Sequence, residues 1–243
     1  MQYFFTIVLS FLLTPVFSRT IIVGPTQPIR SLKKAIETAD EKDSIILLKG
    51  TYKEGSIILT KSLTIIGQNN PVLEGENKYE ILLISGKNII VKGIEFRNSG
   101  YSAMDDYAAI KLVDCSNVTI ENNSIRFAYF AIHISNTTRA IIRNNRINGI
   151  PTSEQLTGNG IHLWKSSHAI IENNYIQGHR DGIYFEFVTE SQIKNNLSEK
   201  NIRYGLHFMF SNNDTYIANT FSDNGAGVAV MFSHHVDMLR NNF

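Results

Sequence analysis

Apolar pairs recur along the C-terminal half of the chain at nearly constant spacing, and this recurrence constrains the fold more than any other feature. With the first residue of each apolar-x-apolar start taken as zero, the points are Ile110, Ile132, Ile161, Ile183, Leu206 and Val228. They are separated by 22, 29, 22, 23 and 22 residues, so one repeat carries an insertion at or near "GIPTSEQ". A fixed period of this length belongs to a solenoid, whose repeats bury their faces only by stacking. Offsets zero and two are apolar in all six repeats. Offset ten holds Ile120, Ile142, Ile171, Ile193, Tyr216 and Met238, and offset thirteen holds Asn123, Asn145, Asn174, Asn196, Asn219 and Asn241. Asparagine tolerates tight-turn backbone, and stacked amides hydrogen-bond from rung to rung. The columns together predict an all-β fold, a right-handed parallel β-helix with coils of 22–23 residues.

The N-terminal half is less regular but compatible. "SIILLKG", "SLTIIGQ" and "NIIVKGIEF" supply the first coils. A helix is expected over residues 29–39, with Leu32, Ala35, Ile36 and Ala39 on one face, capping strand edges that would otherwise invite aggregation. The chain stops at "RNNF", just after an Asn corner, so residues 19–243 read as one β-helix domain cut short at its C-terminal end. The first eighteen residues, "MQYFFTIVLSFLLTPVFS", carry no side-chain charge and read as an export signal rather than a membrane span. Export predicts a periplasmic protein. The net charge of +1 leaves no footprint for nucleic acid, and the single Cys115 excludes an internal disulfide or a multi-thiolate zinc site.

Strand alternation turns offsets one and three outward. There stand Lys111/Val113, His133/Ser135, His162/Trp164, Tyr184/Glu186, His207/Met209 and Ala229/Met231. Neighbouring coils lie about 4.8 Å apart, which stacks Met209 on Met231 with His207 about 7 Å along the strand. Thioether and imidazole suit Cu(I), held transiently, whereas hard oxygen cages for calcium or magnesium are not in evidence. His162, two coils from His207, fits a second site or a docking face. Glu186 is a candidate acceptor for an imidazole N–H, and His235, in the corner "FSHHVD", is an outer metal candidate. A plain surface face is the competing reading of these columns. Cys115 and Met238 read as structural.

A carbohydrate-active enzyme of the cell envelope is the rival class, with Asp105, Asp106, Asp181 and Glu186 as its carboxylates. His179, Arg180 and Asp181 are contiguous in a predicted turn, where Arg180 and Asp181 read as a local ion pair. A metal-free protein-binding scaffold is a third reading.

The runs "GNGIHLWKSSHAIIENNYIQGHRDGIYFEF", "RYGLHFMFSNND" and "GAGVAVMFSHH", with the cap "SLKKAIETADEKDSIILLKGTYKE", resemble the NosD family of periplasmic maturation proteins for nitrous oxide reductase. The resemblance implies a non-catalytic component acting with the membrane and ATPase subunits of an ABC transporter. It implies a copper role with coupled sulfur handling for the reductase's copper–sulfide centre. Copper would come from a lipoprotein chaperone and pass to apo nitrous oxide reductase. The family's metal residues do not transfer position by position, so His207, Met209 and Met231 stand on spacing.

Overall fold

In a computed structural model, which describes residues 18–102 and 104–243, the chain is a parallel β-solenoid of three sheets. One sheet has ten strands, from Thr20–Val23 to Asp237–Leu239. The other two have eight each, one running from Ile57–Leu59 to Ala226–Met231 and one from Thr51–Tyr52 to Thr220–Ser222. The export-signal expectation concerns residues 1–18, all but the last of which lie outside the described residues. The capping helix is present but shorter than expected, Leu32–Thr38. Ser31 ends it, because its hydroxyl accepts from Lys34 N–H and its backbone is extended. Ile29 instead forms a parallel bridge with Val23. Leu32, Ala35, Ile36 and Ala39 are buried over the first coils, as the apolar face predicted.

The columns behave as stacked layers. Ile110, Ile132, Ile161, Ile183 and Leu206 pair in register and are fully buried, as are Ile120, Ile142, Ile171, Ile193 and Tyr216 in the ten-stranded sheet. In the last coil Val228 and Met238 are only partly buried and Val230 is exposed. The asparagine corner divides its work between two residues. The first of each pair, Asn122, Asn144, Asn173 and Asn195, holds the left-handed turn with φ of 54 to 56°. The second points inward and builds the ladder. Asn145 Nδ2 donates to Asn174 Oδ1 at 3.0 Å, Asn174 to Asn196 at 3.0 Å, and Asn196 to Asn219 at 3.0 Å. The turn conformation attributed to offset thirteen therefore belongs to offset twelve, since a side chain turned inward cannot also occupy the corner.

A second small-residue ladder gives a testable titration. Asp214 is buried; its Oδ1 accepts from Ser191 N–H at 2.8 Å and its Oδ2 has no partner. Burial, with a smaller push from Glu190, raises its carboxyl to about 7 against a weaker opposing effect of the Ser191 N–H. The folded state thus keeps a proton that the unfolded chain releases near 4, so this group's stabilisation is present below that pH and lost as pH rises through about 7. Asp214→Asn keeps the acceptor and removes the charge. Thermal unfolding should show the variant more stable than the parent at pH 8 and matched to it near pH 4. An equal shift at both pH values would contradict the assignment.

Candidate metal site on the outer face

The eight-stranded sheet ending at Ala226–Met231 carries the candidate residues, and its strands bend at one point. A Cβ on Gly160 would lie 2.6 Å from Ile176 Cγ2, and one on Gly205 2.8 Å from Phe221 Cβ, both core atoms. Offset minus one therefore faces inward beside offset zero, and only Ala or Gly fits there. Offset minus two consequently turns outward, adding a third outer column: Phe130, Asn159, Asp181 and Tyr204.

That column supplies what spacing alone did not. Asp181 opens the strand Asp181–Glu186 and is 0% exposed. Arg203 grips its carboxylate with two bonds, Nε to Oδ1 at 3.0 Å and Nη2 to Oδ2 at 2.6 Å. His207 Nδ1 lies 3.3 Å from Asp181 Oδ2, and the ring is 6% exposed. Burial pushes the Asp181 carboxyl up, but the His207 and Arg203 hydrogen bonds and the Arg203 charge outweigh it and hold it below the usual carboxylate range. An ionised Asp181 accepts from Nδ1–H of His207, so in the neutral imidazole the electron pair lies on Nε2. His207 Nε2 is buried and has no hydrogen-bond partner. Glu154, in the insertion between coils, accepts from Arg203 Nη1 at 3.2 Å and ties that loop to the site.

Met209 pairs directly with Met231 in the neighbouring strand and with Glu186 on the other side. Glu186, Met209 and Met231 thus occupy three consecutive rungs of one column, with His207 two residues from Met209 on the same face. Met231 is 38% exposed. The carboxylate facing His207 is Asp181; Glu186 instead accepts from the Tyr184 hydroxyl at 3.4 Å, whose pKa is pushed up to about 12 by burial and then by Glu186. Arg180 does not pair with Asp181, because Arg203 one coil on fills that place. His179 is fully buried, apart from the outward Asp181. His162 is separated from His207 by Tyr184, with ring centroids 4.7 and 4.6 Å apart. His235 sits at an exposed corner with φ of 54°, in a different column from Met231. Beside the methionine column, Phe187, Phe210 and Phe232 stack at 5.0 Å and are exposed.

Among the described residues, no three His, Cys, Asp or Glu side chains converge on one point. A hard-donor cage is therefore absent there, and strand register places Met209 beside Met231 with His207 on the same strand. The Asp181–Arg203 pair escaped the sequence reading because strict alternation does not send offset minus two outward. The Ala/Gly column at offset minus one was the available signal.

Residues 148–243 match the family model described as NosD, periplasmic copper-binding protein. A protein of Pseudomonas aeruginosa described as a probable ABC transporter binding protein NosD is 30% identical over 138 residues. That alignment spans 56% of this chain and 32% of the relative. The chain is NosD-like. The matched NosD segment contains His162, Asp181, Arg203, His207, Met209 and Met231 together. Among solved structures, the chain is similar to XylC in complex with xylose, at a TM-score of 0.64 and 11% identity, covering 90% of this chain and 69% of that one. It is also similar to PfbA, a surface adhesin of Streptococcus pneumoniae (TM-score 0.61, 15% identity, 72% and 53% covered). The A-module of a mannuronan C-5 epimerase of Azotobacter vinelandii gives a TM-score of 0.55 at 13% identity, with 86% and 74% covered. At such identities these likenesses show the β-helix fold alone.

Proposed function

We propose that this NosD-like chain is a periplasmic accessory protein that takes up copper as cargo at His207, Met209 and Met231, rather than an enzyme. The observation that carries the reading is the buried, unpartnered Nε2 of His207, its ring fixed by Asp181 and Arg203, beside a directly paired Met209–Met231. One imidazole and two thioethers form a soft, neutral donor set that favours Cu(I). The set is partly exposed at Met231, which suits a metal that must leave again. The exposed phenylalanine stack alongside offers an apolar strip for a donor or acceptor protein. Partners in this reading are the membrane and ATPase subunits of an ABC transporter, a copper chaperone lipoprotein and apo nitrous oxide reductase, with a coupled sulfur-handling role. His162, Glu186 and His235 remain outer candidates, of which Glu186 adjoins the methionines.

Asp181 bears on the enzyme alternative. Its carboxylate is held ionised by Arg203 and His207 and has no proton to give a leaving group, so it does not serve as a general acid. Copper K-edge absorption of the Cu(I)-loaded protein tests the proposal. Sulfur scatterers should be present and should disappear in a Met209→Leu/Met231→Leu variant. Nitrogen and oxygen neighbours only, in both proteins, would contradict it.

A further inference from the structure

A second set of unsatisfied imidazoles lies on the same wall, two coils away from His207. His133 and His162 pair in register on adjacent strands, and their ring centroids are 4.8 Å apart with planes at 70°. His133 is 6% exposed and its Nδ1 is buried without a partner. Both nitrogens of His162 are also buried and unpartnered. Buried polar atoms are hydrogen-bonded in the large majority of cases, and each orphan costs about 1–3 kcal/mol. Three on two touching rings are an anomaly that a ligand would resolve.

Both rings line an open cleft of about 330 Å3 with Asp106, Ser135, Trp164 and Glu186. Asp106 Oδ2 stands 3.5 Å from His133 Nε2. Two imidazoles and two carboxylates line this cleft, and each neutral imidazole carries one electron pair beside its N–H. Two carboxylates with two imidazole electron pairs suit a cation better than an anion. Among the described residues no third His, Cys, Asp or Glu completes a cage, which disfavours the three- or four-ligand geometry that zinc requires.

We propose that His133 and His162 form a second Cu(I) site, with two imidazole nitrogens as its protein ligands. It goes beyond the His207 site and shares no ligand with it. Tyr184, stacked between His162 and His207, separates the two. The two sites would differ in chemistry: nitrogen only at one, sulfur-rich at the other.

The test counts equivalents of Cu(I) bound under anaerobic, reducing conditions against a chromogenic chelator, for three proteins. These are the parent chain, His133→Phe/His162→Phe, which keeps aromatic packing in the column, and Met209→Leu/Met231→Leu. The parent should bind two equivalents and each variant one. Near-edge absorption should show two-coordinate nitrogen ligation remaining in the methionine variant and lost in the histidine variant. If the double histidine variant unfolds, as circular dichroism would show, His162→Gln alone should still remove one equivalent. Undiminished uptake by the histidine variants overturns this inference and leaves the His207 reading standing. A single equivalent lost only with the histidines does the reverse. No uptake by the parent overturns both, and water would then be the occupant of the cleft.

Discussion

Asn174→Leu should destabilise the solenoid by about 3–6 kcal/mol, whereas Asn173→Gly, one residue earlier, should change stability by less than about 1 kcal/mol. The two side chains have unrelated jobs. Asn174 is buried and makes four side-chain bonds: Nδ2 donates to Ile142 O at 2.8 Å and to Asn196 Oδ1 at 3.0 Å, while Oδ1 accepts from Asn145 N and Asn145 Nδ2 at 3.0 Å each. Leucine fills similar space but leaves these partners without it, inside a wall that water does not reach. Asn173 is exposed and contributes a left-handed backbone at φ of 56°, which glycine adopts freely. For a chain of this size, 1 kcal/mol shifts the melting temperature by roughly 2–4 °C, so the first variant should melt about 6–24 °C below the parent. Equal melting temperatures for the two variants would show that the ladder is not what holds the corner.

Asp181→Asn should weaken Cu(I) binding by about 10- to 100-fold while leaving the fold intact, the usual cost of removing an outer partner of a metal-bound histidine. The carboxylate does two things. It accepts from His207 Nδ1, which in the neutral ring leaves the electron pair on Nε2, and it neutralises the half-buried Arg203. An amide at this position can present either its oxygen or its N–H to the ring, so the tautomer is no longer enforced. Nitrogen-15 spectra of the imidazole separate this from a packing defect, because the parent should show the Nδ1–H form and the variant a mixture. Unchanged affinity and an unchanged tautomer in the variant would remove Asp181 from the site.

Much of the fold was legible because a solenoid writes itself repeatedly. Six copies of each column let Ile110 through Val228 and Asn123 through Asn241 be placed without any tertiary information. The capping helix was legible from its apolar face, although its start was not, since residues 25–28 turn back and Ile29 bridges to Val23 before the Ser31 cap. The stacking of Met209 on Met231 followed from the period alone. What did not follow was anything that depends on where the strand bends. Asp181 appeared to belong to a turn, and Arg203 drew no attention, because both act across coils through a column that exists only where offset minus one folds inward. Burial was also invisible. His133, His162 and His207 read as surface residues, yet neighbouring rings and loops cover their nitrogens.

The central claim, that His207, Met209 and Met231 hold copper, is tested most directly by an anaerobic Cu(I) competition titration. The parent chain would be compared with a His207→Ala/Met209→Leu/Met231→Leu variant whose folding is verified by circular dichroism. The account predicts that the variant binds one equivalent fewer than the parent; equal uptake by the two proteins would contradict it.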